Sequence, residues 1–217
     1  MDIIKNFTNI LNEIKKYTNS NPKIIAVSKT FDLNHIKALI DLGHLHYGEN
    51  RINEAVVKWS DEIKKNSNLK IHLIGKLQSN KIKDALKIFS YIHSLDSKKL
   101  AILLDKEQNK KLINIKYFVQ VNLGNENQKS GIMLDDLDDF INFCRLNTNL
   151  DIIGLMCIPP INESSDFYFR KLSEAAKKNN LYELSMGMSN DYISAIKNGS
   201  TFLRIGSSIF GERSNQF

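Results

Sequence analysis

Eight short runs rich in β-branched and aromatic residues, each but the last followed by a longer stretch of helical apolar spacing, constrain this chain more than any other feature. The runs occupy residues 23–28, 46–48, 71–74, 91–93, 117–121, 152–156, 183–186 and 202–205. The helical stretches occupy 33–42, 52–63, 82–89, 98–107, 137–146, 167–178 and 192–196. Such alternation predicts βα units and a parallel sheet, and eight strands is the number that closes a (β/α)8 TIM-type barrel. An open doubly wound sheet alternates in the same way and remains the competing α/β architecture on pattern alone. An extra amphipathic helix is expected ahead of the first strand, from Ile3 to about Tyr17, broken by Asn19-Ser20-Asn21-Pro22.

With 217 residues and 42% apolar content, the chain is sized for one domain spanning residues 1–217, without room for a second full domain. Its net charge of +6 raises nucleic acid as a partner, but lysine supplies nearly all of it as scattered singles and pairs such as Lys64-Lys65 and Lys177-Lys178. That pattern fits solvated helix faces, and no nucleic-acid partner is expected. Two cysteines, Cys144 and Cys157, imply neither a disulfide framework nor an unaided zinc site. The start, Met1-Asp2-Ile3-Ile4-Lys5, lacks a signal-peptide pattern, and no segment is long enough for a membrane span. The expectation is a cytoplasmic protein with no metal and no membrane partner.

In the barrel reading, chemistry gathers at the C-terminal ends of the strands, with phosphate often held after strands seven and eight. Lys29 ends the first run, so its side chain emerges at the mouth, where desolvation favours a neutral amine able to attack an aldehyde. A surface lysine just past a strand is the plain alternative, and other positions must decide. Gly206-Ser207-Ser208 follows the last run and can offer backbone N–H groups and hydroxyls to an anion. Ser189 can complete such a cup while also capping the helix from Asp191. Arg204 lies inside an apolar run, where an unpaired charge is costly. Only Arg51, Arg145, Arg170 and Arg213 accompany it in a chain that otherwise uses lysine, so a specific geometric demand is expected there. A structural ion pair across the barrel is the other explanation for Arg204.

Seven blocks occur in the order and spacing of the pyridoxal-phosphate homeostasis proteins: Ala26-Val27-Ser28-Lys29-Thr30, Gly48-Glu49-Asn50, residues 72–81 (HLIGKLQSNK), Lys129-Ser130-Gly131, Gly154-Leu155-Met156, residues 185–191 (SMGMSND) and 204–211 (RIGSSIFG). The chain resembles that family from Ile25 to Arg213. The resemblance implies the fold of the alanine racemase N-terminal domain and a pyridoxal 5′-phosphate cofactor held as a Schiff base on Lys29. It further implies Arg204 facing the pyridine nitrogen, with Ser189, Gly206 and Ser207 around the phosphate; Ser208 is left unassigned. Asn50 and His72 match motif positions near the ring, although Asn50 could instead cap the following helix and His72 could be a satisfied barrel-interior histidine.

An arginine opposite the pyridine nitrogen can only donate, so the ring stays unprotonated and is a weak electron sink. The expected function is therefore to carry and buffer the cofactor in intracellular homeostasis, with no committed catalytic residue. Pyridoxal-phosphate-dependent apo-enzymes are the candidate recipients. No second domain is expected after Arg213 to supply a racemase's second base, and without it the usual racemase dimer contact is missing, so the expected state is a monomer. A small amino-acid racemase or lyase using the same lysine is the alternative, and a Schiff-base aldolase gripping a sugar phosphate is a third.

Overall fold

The computed structural model describes residues 2–124, 126 and 130–211. Among the described residues nine strands form, in chain order β1 Lys23–Val27, β2 His46–Glu49, β3 Lys70–Leu73, β4 Tyr91–Leu95, β5 Lys116–Asn122, β6 Ile132–Met133, β7 Asp151–Met156, β8 Glu183–Ser185 and β9 Phe202–Ile205. Eight of them run β4-β3-β2-β1-β9-β8-β7-β5, and the β4–β5 pairing closes the ring. Every pairing is parallel. The barrel is thus closed, and the open doubly wound alternative falls. The short β6 was not anticipated; it pairs with β5 at Val121 and Asn122, outside the closed ring.

The expected helices form as α1 Ile3–Ile14, α2 Leu33–Asp41, α3 Ile52–Lys65, α4 Ile82–Ile88, α5 Lys98–Lys111, α6 Leu137–Asn147, α7 Ser165–Lys178 and α8 Tyr192–Lys197, with a four-residue α9, Ser207–Phe210. α1 stops at Ile14, short of Tyr17, because Lys16 N–H and Tyr17 N–H turn back to the carbonyls of Glu13 and Ile14. Such i→i+3 bonds tighten and end a helix. The buried face of α1 is Ile3, Phe7, Ile10 and Ile14. Asn6 on that helix donates to the Ile209 carbonyl at 3.0 Å, so the extra helix is fastened to the segment that follows β9.

Side chains alternate across each strand, which divides the core in two. Outward residues such as Ile24, Ala26, Tyr47, Ile71, Leu73, Tyr117, Val119, Leu155, Leu203 and Ile205 join the helices in the main apolar layer. Inside the barrel, Ile25, Phe118, Met156 and Phe202 form a second cluster, joined by Tyr91 and Ile153. Barrel interiors are usually filled by aliphatic residues; here buried His72, His93, Ser185 and Arg204 share that space. Among the described residues no helix is long and apolar enough to cross a membrane, and no cluster of metal-ligating side chains occurs.

Candidate functional site

Lys29 follows β1 with the same parity as interior Ile25 and Val27, which brings it to the inner rim at the C-terminal end of the barrel. The residue before it is tightly held. Ser28 is fully buried, its N–H donates to the Gly48 carbonyl at 3.0 Å, and its hydroxyl donates to Glu49 Oε1 at 2.8 Å. Its carbonyl accepts from Phe31 N–H at 3.1 Å and from Lys58 Nζ at 2.8 Å. Glu49 points outward from β2 toward α3, where its Oε1 also accepts from Lys58 Nζ at 2.8 Å and from the Trp59 indole at 3.0 Å. The Ser28-to-Phe31 turn contains Thr30 at φ 72°, a left-handed conformation that is uncommon for a β-branched residue. Lys29 therefore sits in a strained turn over a buried ion pair.

A cup of backbone N–H groups forms between the ends of β8 and β9. Backbone N–H groups of Gly206 and Ser208 both donate to Ser189 Oγ, each at 3.3 Å. The structure thus brings Ser189, Gly206 and Ser208 together, and Ser207 lies exposed on the same turn. Ser189 does not cap α8. That helix begins after Asp191, whose carboxylate instead accepts from Met188 N–H at 2.6 Å and closes the loop. Gly187 enters this loop at φ +90°, and a Cβ there would meet the Ala195 Cβ at 2.5 Å, so only glycine fits.

Arg204 is 4% exposed in β9. Its Nη1 donates to the Ser185 carbonyl at 2.5 Å and to Ser185 Oγ at 2.8 Å, and its Nη2 donates to the Cys157 carbonyl at 2.8 Å. No carboxylate makes an ion pair with it among the described residues, so the cross-barrel salt bridge entertained for it is absent. Carbonyl dipoles and a hydroxyl satisfy the buried cation instead. The neighbouring Cys157 thiol is pushed up to about 12, chiefly by burial.

His72 is fully buried inside the barrel, stacked on Tyr91 at 4.3 Å, with its two ring nitrogens on His46 Nδ1 at 2.9 Å and His93 Nε2 at 3.0 Å. Both nitrogens are taken, so the ring is satisfied within the barrel. Asn50 does not cap α3, whose first flanking residue is Arg51. Asn50 lines a cavity of about 270 Å3 together with Gly75, Lys76, Gln120, Asn122 and Ser130. The Asn50 carbonyl lies 2.2 Å from where a Gly75 Cβ would stand, so that part of the wall depends on glycine. Lys129 and Arg213 lie outside the described residues.

Sequence reasoning did not single out Glu49, Lys58 and Trp59 as a support for Lys29, nor Ser185 and His93 as partners reaching Arg204. A glutamate at the end of a buried strand and a histidine in the interior phase of the fourth run were the available signals.

A closed parallel barrel with a rim lysine, a cup of backbone N–H groups and a buried arginine defines a protein of the alanine racemase barrel class, and the model of the alanine racemase N-terminal domain matches residues 4–214. Within that class the chain belongs to the pyridoxal phosphate homeostasis protein family. It is 38% identical over 200 residues to the pyridoxal phosphate homeostasis protein of Aquifex aeolicus (strain VF5), covering 88% of this chain and 87% of that relative. The counterpart of Escherichia coli (strain K12) is 34% identical over 203 residues, covering 88% and 85%. Among solved structures, PipY of Synechococcus elongatus PCC7942 without PLP is similar at TM-score 0.88 and 32% identity, covering 97% of this chain and 100% of PipY. The PLP-bound PipY structure is similar at TM-score 0.84 with the same identity and coverage.

Proposed function

We propose that this protein binds pyridoxal 5′-phosphate at the barrel mouth, holds it on Lys29 and serves intracellular homeostasis of that cofactor as a carrier. The observation that carries the reading is the convergence of the Gly206 and Ser208 N–H groups on Ser189 Oγ. A serine oxygen there occupies the kind of position a phosphate oxygen takes, with two backbone donors already aimed at it. β9 and β1 are adjacent in the ring, so the cup and Lys29 stand on neighbouring strands. The donor set suits the group: an anion cup, an amine and a buried cation.

When bound, the cofactor supplies an aldehyde that condenses with the Lys29 amine. Ser28, Glu49, Lys58 and Trp59 fix the backbone from which that amine projects. Ser189, Gly206, Ser207 and Ser208 grip the phosphate end, and Asn50 lies beside the ring. Arg204 faces the ring nitrogen and can only donate to it, which withholds the proton that carbanion chemistry would need. Carrying the cofactor is favoured over turnover on that ground. We further take the protein to be a cytoplasmic monomer that hands the cofactor to dependent apo-enzymes.

The test is borohydride reduction of the loaded protein, intact mass measurement and peptide mapping. One label at Lys29 is expected, and a label at another lysine would overturn the assignment. A steady-state assay against D- and L-amino acids runs alongside; multiple turnovers would favour the racemase or lyase reading.

A further inference from the structure

The barrel interior holds a continuous polar path that the cofactor reading does not use. His46 Nδ1 meets His72 Nε2 at 2.9 Å, and His72 Nδ1 meets His93 Nε2 at 3.0 Å. His93 Nδ1 meets Ser185 Oγ at 2.8 Å, and Ser185 Oγ accepts from Arg204 Nη1 at 2.8 Å. Five side chains from β2, β3, β4, β8 and β9 are thus joined from the N-terminal floor, where His46 is partly exposed, to Arg204. Stacking holds two of the rings at fixed angles: His72 lies on Tyr91 and His93 on Phe118, each at 4.3 Å.

The geometry points to a one-way hydrogen-bond chain, set by Arg204, in which Ser185, His93 and His72 act as positioning residues for the arginine that faces the cofactor ring. This inference rests on the cofactor reading above. Its direction follows from donor counting. A guanidinium can only donate, so Ser185 Oγ accepts from Arg204 and has its own proton to place. Among the described contacts His93 Nδ1 is the acceptor available to that proton. A neutral His93 then carries its proton on Nε2 and donates to His72 Nδ1. His72 in turn carries its proton on Nε2 and donates to His46 Nδ1. The reverse order would leave the Ser185 proton without an acceptor in a buried site.

The neutral state of both inner rings agrees with this order. Burial, then the neighbouring histidines and Lys23, hold His72 well below the ordinary imidazole value, and burial followed by Arg204 does the same for His93. The path ends on a group that keeps its proton at any physiological pH, so it orients and does not conduct. Three of the five guanidinium donors are committed to Ser185 and Cys157, which leaves two for a ligand. Because the inner end of Arg204 is fixed this way, a change in what those two donors contact is felt at Ser185 and His93.

The experiment is imidazole 15N–1H correlation spectroscopy on the full-length protein, first ligand-free, then with pyridoxal 5′-phosphate, then with inorganic phosphate. His72 and His93 are expected as neutral Nε2–H tautomers in the ligand-free protein. Pyridoxal 5′-phosphate should shift the His93 nitrogens, whereas inorganic phosphate, which occupies the cup alone, should not. A proton on Nδ1 of either ring, or unmoved His93 signals while visible absorbance reports full loading, overturns the chain. If the cofactor does not load, the cofactor reading fails, while the ligand-free tautomers still decide the direction of the chain. Ser185→Ala should release the His93 tautomer and weaken pyridoxal 5′-phosphate binding about tenfold, the cost of fixing a freed Arg204 side chain on binding. Its affinity for inorganic phosphate should stay, and Ser185→Thr, which keeps the hydroxyl, should restore the wild-type tautomer. Loss of binding for both ligands in Ser185→Ala would mark Ser185 as a packing residue and overturn its positioning role; if that variant does not fold, the wild-type spectra decide.

Discussion

Mild acid should destabilise this protein through its buried histidines. His72 and His93 stay neutral in the folded barrel, first because burial disfavours the imidazolium and then because of adjacent histidines or Arg204. The unfolded chain takes up those protons near the ordinary value of 6.5, so below that pH it binds more protons than the folded chain and stability falls. At about pH 5 each ring costs roughly 1.36 kcal/mol times 1.5 units, about 2 kcal/mol, or about 4 kcal/mol for the two. His44 and His46, both lowered to about 4 mainly by burial, act in the same direction between 6.5 and 4. They are partly exposed, so about 1 kcal/mol each is a fair share after solvent screening. Asp84, Asp138 and Asp166 are held below the ordinary carboxylate value by partner side chains, whereas burial raises Asp96, which therefore binds its proton more readily in the folded state and offsets part of the loss. A loss of about 4 to 6 kcal/mol is a large part of the 5 to 15 kcal/mol typical of a domain. The assay is urea unfolding at about pH 7 and about pH 5, followed by fluorescence of Trp59, the chain's one tryptophan, which is fully buried. A difference under about 1 kcal/mol would refute the claim that these rings are buried neutral.

Lys29→Ala should abolish the borohydride-reducible adduct while the melting temperature stays close to wild type; a retained adduct would send the search to Lys76 and Lys81. Ser189→Ala combined with Ser207→Ala should weaken pyridoxal 5′-phosphate more than pyridoxal, since charge-assisted hydrogen bonds contribute about 1.5 to 3 kcal/mol each, and calorimetric titration of both ligands checks it. Glu49→Gln should cost about 3 to 5 kcal/mol in chemical denaturation, because it strands the Lys58 cation, whose side chain is 11% exposed. The same change should slow adduct formation at Lys29. Gly187→Ala should destabilise by about 3 kcal/mol, combining the left-handed backbone with a methyl forced onto Ala195, read from the thermal midpoint.

The periodicity of the chain was enough for the barrel, since residues that must bury one face in a strand and one stripe in a helix repeat at two different spacings. Strand ends moved by a residue or two, as at Ser28, which lies just past β1, and Ser94, which lies within β4. β6 escaped notice because two half-buried residues carry no alternation. The positions of Lys29 and Gly206 at the mouth were legible too, since they directly follow strands whose direction the fold dictates. Arg204 stood out by its charge in an apolar run, and its burial bears that out.

What surrounds those residues was decided by the tertiary structure. Ser189 could complete a cup and cap a helix on local spacing, and only the fold put its oxygen on N–H groups 17 and 19 residues away instead of on the helix. Asn50 could lie near the ring or cap a helix, and the fold places it in the cavity wall at the mouth. His72 was ambiguous because sequence fixes that a side chain points inward but not the height at which it meets its neighbours. That height depends on the stagger between strands, which no local pattern encodes. The chain from His46 to Arg204 joins side chains on five strands, with His93 and Ser185 separated by 92 residues. Only closure of the barrel brings them within hydrogen-bonding distance, and only then does the arginine's inability to accept a proton set the direction of every bond behind it.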